Sequence, residues 1–106
     1  MMGTPKDIEL RETPEGGHVR LTVTGPVDLC TAWRLDGALD DLTSRGQDTV
    51  VDISGVTAID PCGLRVLLDA EARTQPGHTL TIAGARPHVH RIVDQTGLTG
   101  RLHLAA

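Results

Sequence analysis

The sequence predicts an α/β fold: a mixed, largely parallel sheet of four to five strands, begun by one antiparallel hairpin, with three main helices packed on it. Three observations carry this. Apolar periodicity switches repeatedly between the two-residue repeat of strands and the 3.6-residue repeat of helices, and Gly, Pro or Asp marks each switch. The order that results is strand, strand, helix, strand, helix, strand, helix, which short right-handed connections assemble into one α/β layer. The 106 residues suit one core, so a single domain spanning 1–106 is expected.

The elements follow in chain order. Residues 8–13, IELRET, alternate Ile8 and Leu10 with charged neighbours, and PEGG then makes the turn of a hairpin. Residues 18–25, HVRLTVTG, place Val19, Leu21 and Val23 on one face at period two, as a half-buried strand requires. PVDL leads out of this strand into a helix predicted from Cys30 to about Arg45. Its Ala32, Leu35, Leu39 and Leu42 recur at spacings of three and four. Gly46 stops it. TVVDIS, 49–54, opens on a continuous apolar run that suits a central strand covered on both faces.

After a second helix, PGH turns the chain into TLTIAG, 79–84, another alternating strand. The third helix starts at Pro87, carries Val89, Ile92, Val93 and Thr96 on one face, and closes at Gly97 and Leu98. RLHLAA is read as either a short edge strand or a trailing end.

Composition excludes several classes of function. A net charge of −4, with nine Arg and one Lys scattered among acidic residues, argues against a nucleic-acid binder, which needs a clustered positive stripe. No apolar run approaches the ~20 residues that span a bilayer, and MMGTPKDIEL has no signal-peptide apolar block. A cytoplasmic protein without membrane insertion is expected. Cys30 and Cys62 fit neither a disulfide framework nor a Cys-x-x-Cys motif, and are expected as free thiols. His88 and His90 stand two apart, on different helix faces, so no metal site is expected there, and no cofactor motif occurs. With no Phe or Tyr, the core must be aliphatic.

The stretch VVDISGVTAIDPCGLRVLLDAEART, 50–74, carries the candidate site. In a parallel sheet the working surface usually lies where strands hand over to helices, and TAIDPCG lies there. Asp60 suits the N-cap and Pro61 the first helical position. At about 100° per residue, the helix turns Gly63, Leu64, Leu67, Leu68 and Ala70 inward, and Cys62, Arg65, Asp69 and Arg73 outward. A helix N-terminus favours negative charge, so the position of Cys62 suits a phosphoryl group or a thiolate, opposed by the carboxylate of Asp60. Trp33, the single aromatic residue, lies off the apolar stripe of its helix. It is either an interface anchor or a cover for the hairpin or the GPVD loop.

VVDISGVTAIDPCGLRVLL resembles the signature of the STAS domain, the fold of bacterial anti-sigma factor antagonists, in which a strand ends in Asp-Ser-Ser-Gly and a helix follows. TGPVDLCTA, 24–32, is similar to the family's Gly-x-x-Asp-x-x-Thr/Ser stretch, and QTGL, 95–98, to its Thr-Gly-Leu. The resemblance implies a binding switch and not an enzyme: a protein that sequesters an anti-sigma factor which is also a Ser/Thr kinase, and so frees a sigma factor for transcription. The resemblance implies a partner surface that includes Asp28 and Asp60, and Trp33, Thr57, Cys62, Gly63, Arg65 and Asp69 are the further residues expected in it.

Pro61 and Cys62 stand where the family's two serines would be. Cys62 is therefore predicted not to be phosphorylated, and Thr57, the nearest hydroxyl, is a weak substitute in the approaching loop. The plain reading of Cys62 is a small helix-start residue, and that of Arg65, Asp69 and Arg73 a solvated face. Three other readings are a cytosolic STAS subunit of a membrane transporter, a thiol-based redox-responsive module, and an enzyme pairing Cys62 with His78 or His88. The last is disfavoured because no second catalytic element accompanies the thiol.

Overall fold

The computed structural model describes residues 7–95. Within them the chain forms β1 (Glu9–Glu15), β2 (His18–Val27), α1 (Ala32–Ser44), β3 (Thr49–Ile59), α2 (Pro61–Arg73), β4 (Leu80–Ala83) and α3 (Pro87–Gln95). The strands make one sheet in the order β1-β2-β3-β4. β1 and β2 are antiparallel, whereas β2 with β3 and β3 with β4 are parallel. Glu15 pairs with His18, leaving a two-residue turn. Gly16 there adopts φ 69, the left-handed conformation that such tight hairpin turns need and that Gly accepts without steric cost.

Period two puts Leu21 and Val23 of β2, Val51 and Ile53 of β3, and Leu80 and Ile82 of β4 on one face of the sheet. The stripes of α1 (Leu35, Leu39, Leu42), α2 (Leu64, Leu67, Ala70) and α3 (Val89, Val93) join them in one hydrophobic cluster. The core is aliphatic throughout, and burying each such side chain stabilises the fold by roughly 1.5–3 kcal/mol. Arg73 of α2 reaches Asp36 and Asp40 of α1 at 3.4 and 3.7 Å, linking the two helices along their outer edge.

Four sequence expectations need correction. α1 begins at Ala32, not Cys30, because residues 28–31 form a separate turn. β3 is central, but it is covered on one face only. Its other face is a polar surface, on which the Arg20 Nε donates to both Glu15 carboxylate oxygens at 3.0 Å and its Nη1 to Asp52 at 3.1 Å. Both crossovers advance across the sheet in the same direction, so right-handed connections place their helices on the same side. Leu68 is half-buried and not in the core.

Finally, β3 runs on to Ile59, so Thr57 lies in a strand and not in a loop. Gly25 pairs with Val56 and Pro26 with Ala58, which leaves Thr57 as the extra, exposed residue of a bulge. The bulge lets Val56 and Ile59, three apart, both face the core. QTGL beyond Gln95, the helix stop at Gly97 and Leu98, and RLHLAA lie outside the described residues.

Candidate functional site

The site is built where β2 and β3 end. Val27 and Ile59, their last residues, are register partners on adjacent strands. Two segments therefore leave the sheet side by side: residues 28–31, entering α1, and residues 60–63, entering α2. Neither segment's own sequence specifies this juxtaposition.

Asp60 ties the two segments together. With extended backbone (φ −114, ψ 178) it caps α2, its Oδ1 accepting from the Gly63 N–H at 3.0 Å. Its Oδ2 accepts from the Leu29 N–H at 3.2 Å, and its own N–H donates to the Val27 carbonyl at 3.2 Å. Pro61 follows as the first helical residue, where no amide hydrogen is missed. One carboxylate thus satisfies an orphan donor of the helix and fixes the neighbouring turn.

Gly63 permits this contact. A Cβ there would meet the Val27 carbonyl oxygen and Cγ1 at 2.7 Å and the Ile59 Cγ1 at 2.9 Å. The amino end of α2 therefore packs directly onto the end of β2.

Asp28 organises the other turn. Its Oδ1 accepts from the Cys30 N–H at 2.9 Å and the Thr31 N–H at 3.2 Å. Thr31 is buried, and its hydroxyl donates to the Pro26 carbonyl at 2.7 Å while accepting from the Asp28 N–H at 3.0 Å. The turn therefore holds its shape from within, and its unsatisfied side chains point outward. Leu29 is 76% and Trp33 70% exposed, the two large hydrophobic side chains left at the surface among the described residues. The Trp33 indole N–H donates to the Cys30 carbonyl at 3.0 Å, so the ring folds back toward the turn instead of covering the hairpin.

Cys62, Arg65 and Asp69 are all exposed on α2, Thr57 is exposed on the β3 bulge, and Cys30 and Cys62 are both free thiols at the surface. The structure thus gathers Asp28, Trp33, Asp60, Cys62 and Gly63 around one loop pair, with Arg65 and Asp69 further along α2. Leu29 and Cys30 were missed by the sequence reading. The available signal was an apolar residue inside an otherwise polar turn, where no core stripe required it.

His78 is not brought to Cys62. It pairs with Asp48 at 3.3 Å beside the starts of β3 and β4, the opposite end of the sheet. No hydrogen bond or ion pair among the described residues joins His78 or His88 to Cys62. The described residues contain no His/Cys/Asp/Glu group able to hold a metal ion, and none of their helices is long and apolar enough to cross a membrane. Two surface hollows lie elsewhere, one beside the hairpin near Arg11 and Arg34 and one near Pro76 and His78.

The whole is a small mixed sheet with its helices on one face and two adjacent strand ends presenting exposed loops. A family model described as "Mlab, STAS domain" matches residues 10–105, and the chain belongs to the STAS domain family. An anti-sigma factor antagonist from Mycobacterium paratuberculosis has a similar structure, with TM-score 0.88 at 22% identity over 97% of this chain and 89% of that one. The phosphorylated Bacillus cell fate determinant SpoIIAA gives TM-score 0.67 at 12% identity over 93% and 91%. The murine Solute Carrier 26 family member A9 anion transporter gives 0.68 at 16% identity, over 87% of this chain but 16% of that one. No curated protein sequence matches the chain significantly.

Proposed function

We propose that this chain is an anti-sigma factor antagonist-like regulator: a single-domain cytoplasmic protein that acts by binding, not turnover. It docks on an anti-sigma factor with Ser/Thr kinase activity and thereby frees a sigma factor. The observation that supports this most is the platform at the start of α2, where Asp60 clamps the turn bearing Leu29 to the helix bearing Cys62, beside two exposed apolar side chains. Exposed apolar residues cost solubility and are over-represented at the centres of interfaces.

In this reading Leu29 and Trp33 are the apolar anchors, Asp28 and Asp60 shape the surface, and Gly63 allows its two halves to meet. Cys62, Arg65 and Asp69 extend the contact along α2, and Thr57 borders it. Cys62 stands at the family's phosphorylation position without an acceptor hydroxyl, so the regulator resembles a permanently unphosphorylated antagonist. The name of the Mycobacterium paratuberculosis structure supports the same reading. A STAS module serving a membrane transporter from the cytosolic side is the second reading, favoured by the likeness to the anion transporter.

Titration calorimetry against the anti-sigma factor kinases of the source organism tests the proposal. Wild type is expected to bind one of them, Trp33→Ala to lose about tenfold or more in affinity, a typical cost for truncating an aromatic anchor, and Cys62→Asp to bind more weakly. Incubation with that kinase and ATP should leave the intact mass unchanged, whereas a stoichiometric phosphate adduct would remove the unphosphorylated reading. Binding to none of these kinases, together with capture of a membrane transporter lost in Trp33→Ala, would transfer the platform to the second reading.

A further inference from the structure

Two exposed cysteines lie at the same end of the sheet, one in each of the two segments that leave β2 and β3. Cys30 stands three residues past Val27, and Cys62 three residues past Ile59. Val27 and Ile59 are partners on adjacent parallel strands, which run about 4.8 Å apart. The segments remain in contact after leaving the sheet. Leu29, one residue before Cys30, donates to Asp60 at 3.2 Å, and a Cβ on Gly63, one residue after Cys62, would collide with Val27. Both thiols are free and open to solvent. The chain has two cysteines in total, and the fold brings both to one end of the sheet.

We propose that Cys30 and Cys62 form a reversible disulfide couple that closes the β2–α1 turn onto the start of α2. The oxidant is hydrogen peroxide. The Cys62 thiolate attacks one peroxide oxygen: a sulfur–oxygen bond forms, the oxygen–oxygen bond breaks, and the departing hydroxide takes up the thiol proton as water. The Cys30 thiolate then attacks the sulfenic sulfur: the disulfide forms, the sulfur–oxygen bond breaks, and hydroxide leaves with the second thiol proton as another water. Two thiols are oxidised and one peroxide is reduced. A dithiol reverses the step by exchange.

Both thiols are exposed, so the same balance holds if Cys30 makes the first attack. Cys62 lies within α2, whereas Cys30 lies in the 28–31 turn before α1 begins, so Cys30 is the side that adjusts when the bond forms, against the hold of the Asp28 carboxylate. The bond removes the Cys62 side chain from the surface and shifts the carbonyl to which Trp33 is bonded. Its effect on docking rests on the proposed function, but its formation does not.

Full-length protein treated with hydrogen peroxide, alkylated and digested with trypsin tests the couple, since Arg34 and Arg45 separate the two cysteine peptides. The expected result is a monomer lighter by two hydrogen atoms, with the Cys30 and Cys62 peptides linked, and full reversal by dithiothreitol. Trp33 emission should change on oxidation and recover on reduction. Cys30→Ser and Cys62→Ser, both at exposed positions, should fold yet never lose the two hydrogens. Independent oxygen adducts on each cysteine, or linkage only between chains, would overturn the couple. A linked monomer that binds its partner as well as the reduced form would leave the couple standing and count against the platform.

Discussion

Gly63→Ala and Gly37→Ala are the same chemical change, each inside a helix, and the structure gives them opposite signs. Alanine is favoured over glycine in a helix interior by roughly 0.5–1 kcal/mol. At Gly37, exposed on the outer side of α1, an added Cβ meets nothing within 4 Å, so the propensity gain is realised. At Gly63 the methyl would lie 2.7 Å from the Val27 carbonyl oxygen and Cγ1 and 2.9 Å from the Ile59 Cγ1.

The obstruction includes backbone, which cannot rotate away. Relieving it separates α2 from β2 and lengthens the 3.2 Å bond from the Asp60 N–H to the Val27 carbonyl, worth about 1 kcal/mol, on top of an overpacking cost of about 1–3 kcal/mol. The net expectation is destabilisation by about 1–3.5 kcal/mol for Gly63→Ala, each kcal/mol lowering Tm by roughly 4–8 °C in a domain of this size. Urea unfolding with unchanged slope provides the measurement. If Gly63→Ala stabilises the protein as much as Gly37→Ala does, the close approach of α2 to β2 is wrong, and with it the geometry of the platform.

Asp60→Ala removes the α2 cap and leaves the Gly63 and Leu29 amides without their acceptor; a loss of about 1–2 kcal/mol is expected by chemical denaturation, with loosening of the 28–31 turn visible as faster amide exchange at Leu29. Asp52 is held below the ordinary aspartate pKa first by the Ser54 N–H, with the Ser54 hydroxyl and Arg20 adding to it. Its contribution is therefore complete above the unfolded value, near pH 4, and is lost as pH falls through the lower folded value; Asp52→Asn should flatten the stability curve in that acid range and leave its shape near neutrality unchanged. Arg73→Ala breaks the exposed pairs with Asp36 and Asp40 and should cost less than about 1 kcal/mol, shrinking further in high salt.

The sequence was most informative where structure depends on near neighbours. Asp60 followed by Pro61 marks the start of α2, the Leu35, Leu39 and Leu42 stripe marks the buried side of α1, and the alternation of Leu21 and Val23 marks the inward face of β2. Each rests on spacings of one to four residues, and each is found in the structure. Boundaries were less legible where side chains compete with the backbone. The start of α1 moved to Ala32 because the Asp28 carboxylate takes the Cys30 and Thr31 amides into a turn.

β3 hid its last residues for a different reason. The bulge at Thr57 breaks the period-two pattern, so GVTAI reads as a loop until its pairing with β2 is known.

Local chemistry in the chain thus determined the order of the elements, their inward faces and the cap of α2. Only the tertiary structure decided that all three helices share one face and that the turn after β2 meets the turn after β3. It also decided that Leu29 and Trp33 stand exposed at that end of the sheet. Helix and strand patterns are set by residues a few positions apart, whereas strand register joins Val27 to Ile59 across an intervening helix. That pairing is specified by packing of the whole core, and no short stretch of sequence contains it.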